Sequence, residues 1–167
     1  MTKSHQRADA NTIVVGTDGS PGSYAALEWA VKEAFGSRRR VMAVHAFPLA
    51  ETLVLAPLTL VGFPDGTSYG TEVLRRAADY CGDAGVPFSA VLAEGSAADS
   101  LVEASDGAAM LVLGAGGRGH ATSVILGSVS QDCARRARCP VVLIKPKKNV
   151  DAGETPSPGR SEGARSA

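Results

Sequence analysis

Several features that would place a chain in a class at sight are missing from this one. Its 167 residues include only three cysteines, Cys81, Cys133 and Cys139, and no CxxC pair. So sparse and odd a set builds no disulfide framework; it suits a reducing cytoplasm, with the thiols packed as small apolar groups. Charge of one sign is absent too: Lys+Arg and Asp+Glu are both 17. Nothing about the whole molecule therefore favours nucleic acid or an anionic membrane. Residues 1–11 are polar and lack the apolar core of a targeting signal. Residues 49–64 are nearly apolar, but Glu51 and Pro57 interrupt them and Pro48 and Pro64 bound them. That run falls short of the roughly 18–20 residues a membrane-spanning helix needs. The expectation is a soluble, cytoplasmic protein with no nucleic-acid or membrane partner.

What is present is a hydrophobic content of 44%, enough for one well-buried α/β domain with frayed ends. Thr12-Ile13-Val14-Val15-Gly16 is a short continuous apolar run, the pattern of a strand buried on both faces. Thr17-Asp18-Gly19-Ser20-Pro21 follows, with Ser20 suited to cap a helix and Pro21 to open it. Tyr24, Leu27, Val31, Ala34 and Phe35 then recur at helical spacing, Glu28 and Lys32 form an outward pair, and Gly36 reads as the stop. The Arg38-Arg39-Arg40 run reads as a solvated entrance to a second strand through Phe47. A helix with Val73, Leu74, Ala77 and Cys81 inward precedes a third strand, Pro87 to Leu92. A short helix, a fourth strand Met110-Leu111-Val112-Leu113, another helix with Val129, Cys133, Ala134 and Ala137 inward, and a fifth strand Pro140 to Ile144 complete the pattern. Strands alternating with helices imply a five-stranded parallel, doubly wound sheet with helices on both faces. Residues 1–10 read as a disordered leader, 11–146 as the domain and 147–167 as a disordered tail. In such sheets ligands bind outside the carboxyl ends of the strands, where strand order reverses.

The most informative stretch follows the fourth strand: Gly114-Ala115-Gly116-Gly117-Arg118-Gly119-His120, then Gly127-Ser128-Val129-Ser130. Four glycines among six residues let backbone approach a ligand closely, and a helix start offers unpaired N–H groups to an anion. The chemistry indicated is phosphate. A P-loop is excluded, because the stretch has no lysine. Gly114-x-Gly116-x-x-Gly119 matches the dinucleotide fingerprint literally, but that motif belongs after the first strand and requires an acidic residue at the end of the next strand. Neither condition holds here.

A different selection of glycines fits better. Gly114-x-x-Gly117, nine residues, then Gly127-Ser128 resembles the G-2x-G-9x-G-[ST] signature of ATP-binding universal stress proteins. The opening strand and turn, Ile13 to Ser20, and the closing Cys139-Pro140-Val141-Val142-Leu143-Ile144 resemble the same family. The resemblance implies a Rossmann-like fold of the adenine nucleotide alpha hydrolase-like type. It also implies that Thr17 and Asp18 lie at the adenosine and that the Ala46 backbone meets the adenine edge. Gly114, Gly117 and Arg118 would line ribose and phosphates, and Gly127, Ser128, Val129 and Ser130 would donate to the phosphates. The implied ligand is ATP, with or without Mg2+, and ADP, AMP and cyclic AMP stay open. The implied role couples nucleotide occupancy to stress response or dormancy, in a homodimer joined through Val141, Val142, Leu143 and Ile144. Family members often carry a hydroxyl residue between the first two loop glycines; this chain has Ala115 and Gly116.

Blander assignments stand beside these. Asp18 alone could make an Asx-turn with Gly19 and Ser20. His45, on a buried strand, reads as a hydrogen-bonded structural histidine, and His120 lacks a partner carboxylate for general-base work. Arg118 suits solvent as well as phosphate. A slow ATP hydrolase on the same scaffold is the rival from another class, yet no Ser-His-Asp or metal-ligand set is evident.

Overall fold

In the computed structural model of the chain, residues 7–48, 66–115 and 126–146 are described. The Leu49 to Pro64 connection, Gly117, Arg118, His120 and the tail from 147 onward lie outside the described residues. Five strands form one sheet: β1 Thr12–Gly16, β2 Arg40–Phe47, β3 Phe88–Glu94, β4 Met110–Gly114 and β5 Val141–Ile144. All pairings are parallel and the order is β3-β2-β1-β4-β5. Among the described residues four helices alternate with them: α1 Pro21–Ser37, α2 Gly66–Asp83, α3 Ala97–Ala104 and α4 Ser128–Arg136. The chain first builds outward from β1 through β2 to β3, then returns to the other side of β1 for β4 and β5. The reversal therefore lies between β1 and β4.

Side-chain alternation along β1 divides the core between the two faces. Ile13 and Val15 pack with Leu27, Val31, Leu74 and Cys81 of α1 and α2, whereas Val14 packs with Leu101 and Cys133 of α3 and α4. Every β1 residue is buried, which is why its sequence shows no polar alternation. Each fully buried aliphatic side chain here contributes roughly 1.5–3 kcal/mol through area removed from water. Cys81 and Cys133 are buried in these layers, and burial pushes both thiols up to about 11. They are packing groups.

Several details differ from the pattern read off the sequence. Phe35 is 70% exposed, because α1 seats its small-residue face, Gly22, Ala26, Ala30 and Ala34, against the sheet. Ala134 is likewise exposed while Cys133 takes the inward position. Gly36 does not stop α1; the helix runs to Ser37 and Arg38 takes the left-handed cap at φ 55°. Arg38 and Arg39 N–H donate to Phe35 O at 3.4 Å and Ala34 O at 2.9 Å, the paired bonds of a Schellman ending. Finally, the arginine run is not merely solvated. Arg40 donates through Nε to Thr12 Oγ1 at 2.9 Å and through Nη2 to Asp9 Oδ2 at 2.7 Å. Thr12, fully buried, donates its hydroxyl to Asp9 Oδ1 at 2.7 Å, and this bond, reinforced by Arg40, holds the Asp9 carboxyl below its usual range. Ala8 is buried as well. Residues 8 and 9, assigned by sequence to the leader, are thus tied to the sheet.

A glycine at the left-handed cap avoids the Cβ penalty that Arg38 carries. Arg38→Gly is expected to stabilise the fold by about 0.5–1 kcal/mol in equilibrium urea unfolding. A loss of stability would show that the arginine side chain contributes more than its backbone conformation costs.

Candidate functional site

The turn after β1 is held from several directions. Thr17 N–H and its hydroxyl both donate to Val44 O, at 2.9 and 3.3 Å, extending the β1–β2 contact past the strand end. Thr17 O accepts from His45 Nδ1 at 2.7 Å. A carbonyl can only accept, so Nδ1 carries the proton, which fixes the tautomer. His45 is 4% exposed, and the structural role expected for it from the sequence is the one observed. Asp18 Oδ1 accepts from Ser20 N–H at 2.9 Å, an Asx-turn, and Gly19 adopts φ 77°. Ser20 then caps α1, accepting from Ser23 N–H at 3.2 Å. The bland alternative for Asp18 is therefore present in the structure. Such a turn still fixes the direction of the second carboxylate oxygen.

Ala46 lies two residues beyond the β1–β2 ladder, which ends at Gly16↔Val44. The Val44 carbonyl faces β1, accepting from Thr17, and the Phe47 carbonyl faces β3, accepting from Gly95 at 2.8 Å. Parallel-strand alternation then turns the Ala46 backbone groups toward the β1 side, above the Asp18 turn. A planar group with one donor and one acceptor edge would meet backbone there.

At the end of β4 the packing is tighter. A Cβ on Gly114 would lie 2.6 Å from Gly22 C and 2.8 Å from Gly22 O. Only glycine at 114 lets β4 end against the first turn of α1. Ala115 N–H donates to Ile144 O at 2.8 Å, and Gly127 N–H returns to Ala115 O at 3.3 Å. Ser130, buried in the first turn of α4, donates its hydroxyl to Gly114 O at 3.0 Å. The start of α4 is thereby pinned at the carboxyl end of β4. Gly127 is its N-cap and supplies no side-chain bond. The first amides of a helix have no intrahelical partner, so Ser128, Val129 and Ser130 carry theirs at the positive end of the helix dipole, beside the end of β4. The Ser130 hydroxyl itself is committed to Gly114, so a phosphate would meet this residue through its N–H.

Of the ten residues singled out from the sequence, Thr17 and Asp18 follow β1, Ala46 lies near the end of β2, Gly114 ends β4, and Gly127 to Ser130 open α4, which the Ser130 hydroxyl ties to Gly114 O. Gly117 and Arg118 lie outside the described residues. Sequence reasoning missed Gly22, although a glycine directly after the helix-opening Pro21 signals a close backbone approach. It also missed Tyr69 of α2, whose hydroxyl donates to Asp18 O at 3.1 Å. Among the described residues, no group of three His, Cys, Asp or Glu side chains could hold a metal ion. No described helix is long and apolar enough to cross a membrane. A groove of about 660 Å³ along α1, lined by Tyr24, Lys32, Arg76, Tyr80 and Ile144 among others, contains none of the candidate residues.

A five-stranded parallel sheet with helices on both faces, its strand order reversing between β1 and β4, defines a Rossmann-like α/β protein. Residues 10–145 match the model of the universal stress protein family, and the chain belongs to that family. It is 32% identical over 151 residues to universal stress protein Rv2624c of Mycobacterium tuberculosis, spanning 86% of this chain and 51% of that protein. The chain thus spans about half the length of the curated relatives it matches. Among solved structures it resembles a universal stress protein in complex with cAMP, at TM-score 0.61 and 27% identity over 84% of this chain and all of that one. The universal stress protein of Archaeoglobus fulgidus in complex with dAMP shares the fold at TM-score 0.63 and 24% identity, over 80% and 97% of the two chains.

The Gly114–Gly22 approach can be checked directly. Gly114→Ala forces one backbone to move and is expected to destabilise the protein by about 1–3 kcal/mol in urea unfolding. A variant as stable as the parent would mean that the two segments are not in contact in solution.

Proposed function

We propose that this universal stress protein binds an adenine nucleotide in the crevice between β1 and β4, and that occupancy sets its state in stress response or dormancy signalling. The observation that carries this is the pinning of the α4 start, Gly127 to Ser130, beside Gly114 and across β1 from Ala46. Oriented amides and a helix dipole stabilise phosphate charge without many cations, which suits a chain of balanced charge. The G-2x-G-9x-G-S spacing favours ATP within the adenine class, and Gly117 and Arg118 complete its phosphate loop. The protein in complex with cAMP and its A. fulgidus counterpart in complex with dAMP support the adenine class and leave the number of phosphates open. Mg2+, if it accompanies ATP, would be held by phosphate oxygens and water, as that ion prefers.

The working unit is the domain read as residues 11–146, extended by the Ala8 and Asp9 tie to the sheet, in the cytoplasm. Two copies would pair through β5, an edge strand whose Leu143 is 36% exposed and whose backbone offers a further ladder. Binding is the proposed activity.

Titration calorimetry on nucleotide-stripped protein should detect binding of at least one of ATP, AMP and cyclic AMP. Gly127→Val, with the fold confirmed by circular dichroism, should weaken that binding by about tenfold or more, the worth of one phosphate contact. Absence of heat with every adenine nucleotide would refute the proposal. Phosphate release that disappears in Asp18→Ala would instead mark the site as hydrolytic.

A further inference from the structure

The first turn of α2 meets the nucleotide turn more intimately than helix packing requires. The Tyr69 hydroxyl donates to Asp18 O at 3.1 Å, and its ring lies against His45, with centroids 5.8 Å apart and planes at 59°. Two glycines are shaped to this contact. A Cβ on Gly19 would sit 2.2 Å from the Tyr69 hydroxyl, and one on Gly70 would sit 2.5 Å from His45 Cδ2. Any larger residue at 19 would displace the phenol, and any larger residue at 70 would displace the imidazole. His45 in turn donates to Thr17 O. Tyr69, His45, Thr17 and Asp18 therefore form one connected set, running from α2 through β2 to the end of β1.

Position in the sheet says which part of a ligand this set would serve. The order β2-β1-β4 places β1 between His45 and the α4 amides. Tyr69 touches the β1 turn from the β2 side, where the Ala46 backbone also lies, and it is 38% exposed. The anion-binding amides are on the β4 side. Tyr69 thus borders the half of the crevice that the phosphates do not occupy.

We infer that Tyr69 is a positioning residue for the nucleoside half of the ligand, holding the Asp18 turn in its binding geometry through the bond to Asp18 O and the contact with His45. The inference rests on the adenine-nucleotide assignment above and adds the element that presets the base side. It makes α2, and not only the strand ends, part of the binding apparatus. A nucleotide that bears on Asp18 then also bears on the start of α2.

The test compares Tyr69→Phe, which removes the hydroxyl and keeps the ring, with the parent and with Tyr80→Phe on the exposed side of the same helix. Affinities for adenosine and AMP are measured by calorimetry at 15 °C or below, with all three proteins shown to be fully folded there. A stability change alone cannot alter affinity under those conditions. Tyr69→Phe is expected to weaken adenosine and AMP by the same factor, about two- to tenfold, the share of one neutral hydrogen bond. Tyr80→Phe should match the parent. Unchanged affinity in Tyr69→Phe, a loss confined to AMP, or an equal loss in Tyr80→Phe would each overturn the inference while leaving the site assignment standing. Failure of the parent protein to bind adenosine, AMP, ATP or cyclic AMP would overturn both.

Discussion

The carboxyl end of the sheet depends on how closely β4 can end against the first turn of α1. Gly114 and Gly22 meet backbone to backbone, at a separation that leaves no room for a Cβ on Gly114. That contact sets the height at which β4 stops and its carbonyl turns. Ser130 then donates to the same carbonyl and fixes where α4 begins. An anion site made of backbone amides has no long side chains with which to adjust its reach. Its geometry must be supplied by the packing beneath it, and here two glycines and one buried hydroxyl supply it.

From this constraint the crevice acquires two unlike halves. The β4 side offers amides and a helix dipole, suited to charge. The β2 side offers strand backbone at Ala46, the Asx-turned carboxylate of Asp18 and the Tyr69–His45 pair, suited to a planar, hydrogen-bonding group. A mononucleotide has the same polarity from end to end, and in the proposed pose β1 would lie under its middle. The chain spans about half the length of the curated relatives it matches.

The features legible in the sequence were those set by local physics. Continuous apolar runs located β1, β2 and β4, because strands buried on both faces cannot alternate. Ser20-Pro21 located the start of α1, and the glycines at 114 and 127 mark the end of β4 and the cap of α4. What escaped notice depended on contacts distant in sequence. Phe35 kept helical spacing with the core residues yet faces water, since the sheet takes the small-residue face of α1 and leaves no space for a ring. Gly36 looked like a terminator, but the chain cap is decided by which residue first leaves the helix, and that is Arg38. The Ser130 hydroxyl, counted as a phosphate donor, is spent on Gly114 sixteen residues earlier. Tyr69 is fifty-one residues from the turn it holds, and no spacing rule reaches that far.

The central claim, that the crevice between β1 and β4 is the ligand site, is tested most directly by amide chemical-shift mapping in solution. Titrating AMP into uniformly nitrogen-15-labelled protein should move the amides of Asp18, Ala46, Ala115 and Ser128 to Ser130 first and furthest. Ala25, Lys32 and Tyr80, which line the groove along α1, should stay still. Shifts centred on that groove, or none at saturating nucleotide, would contradict the account.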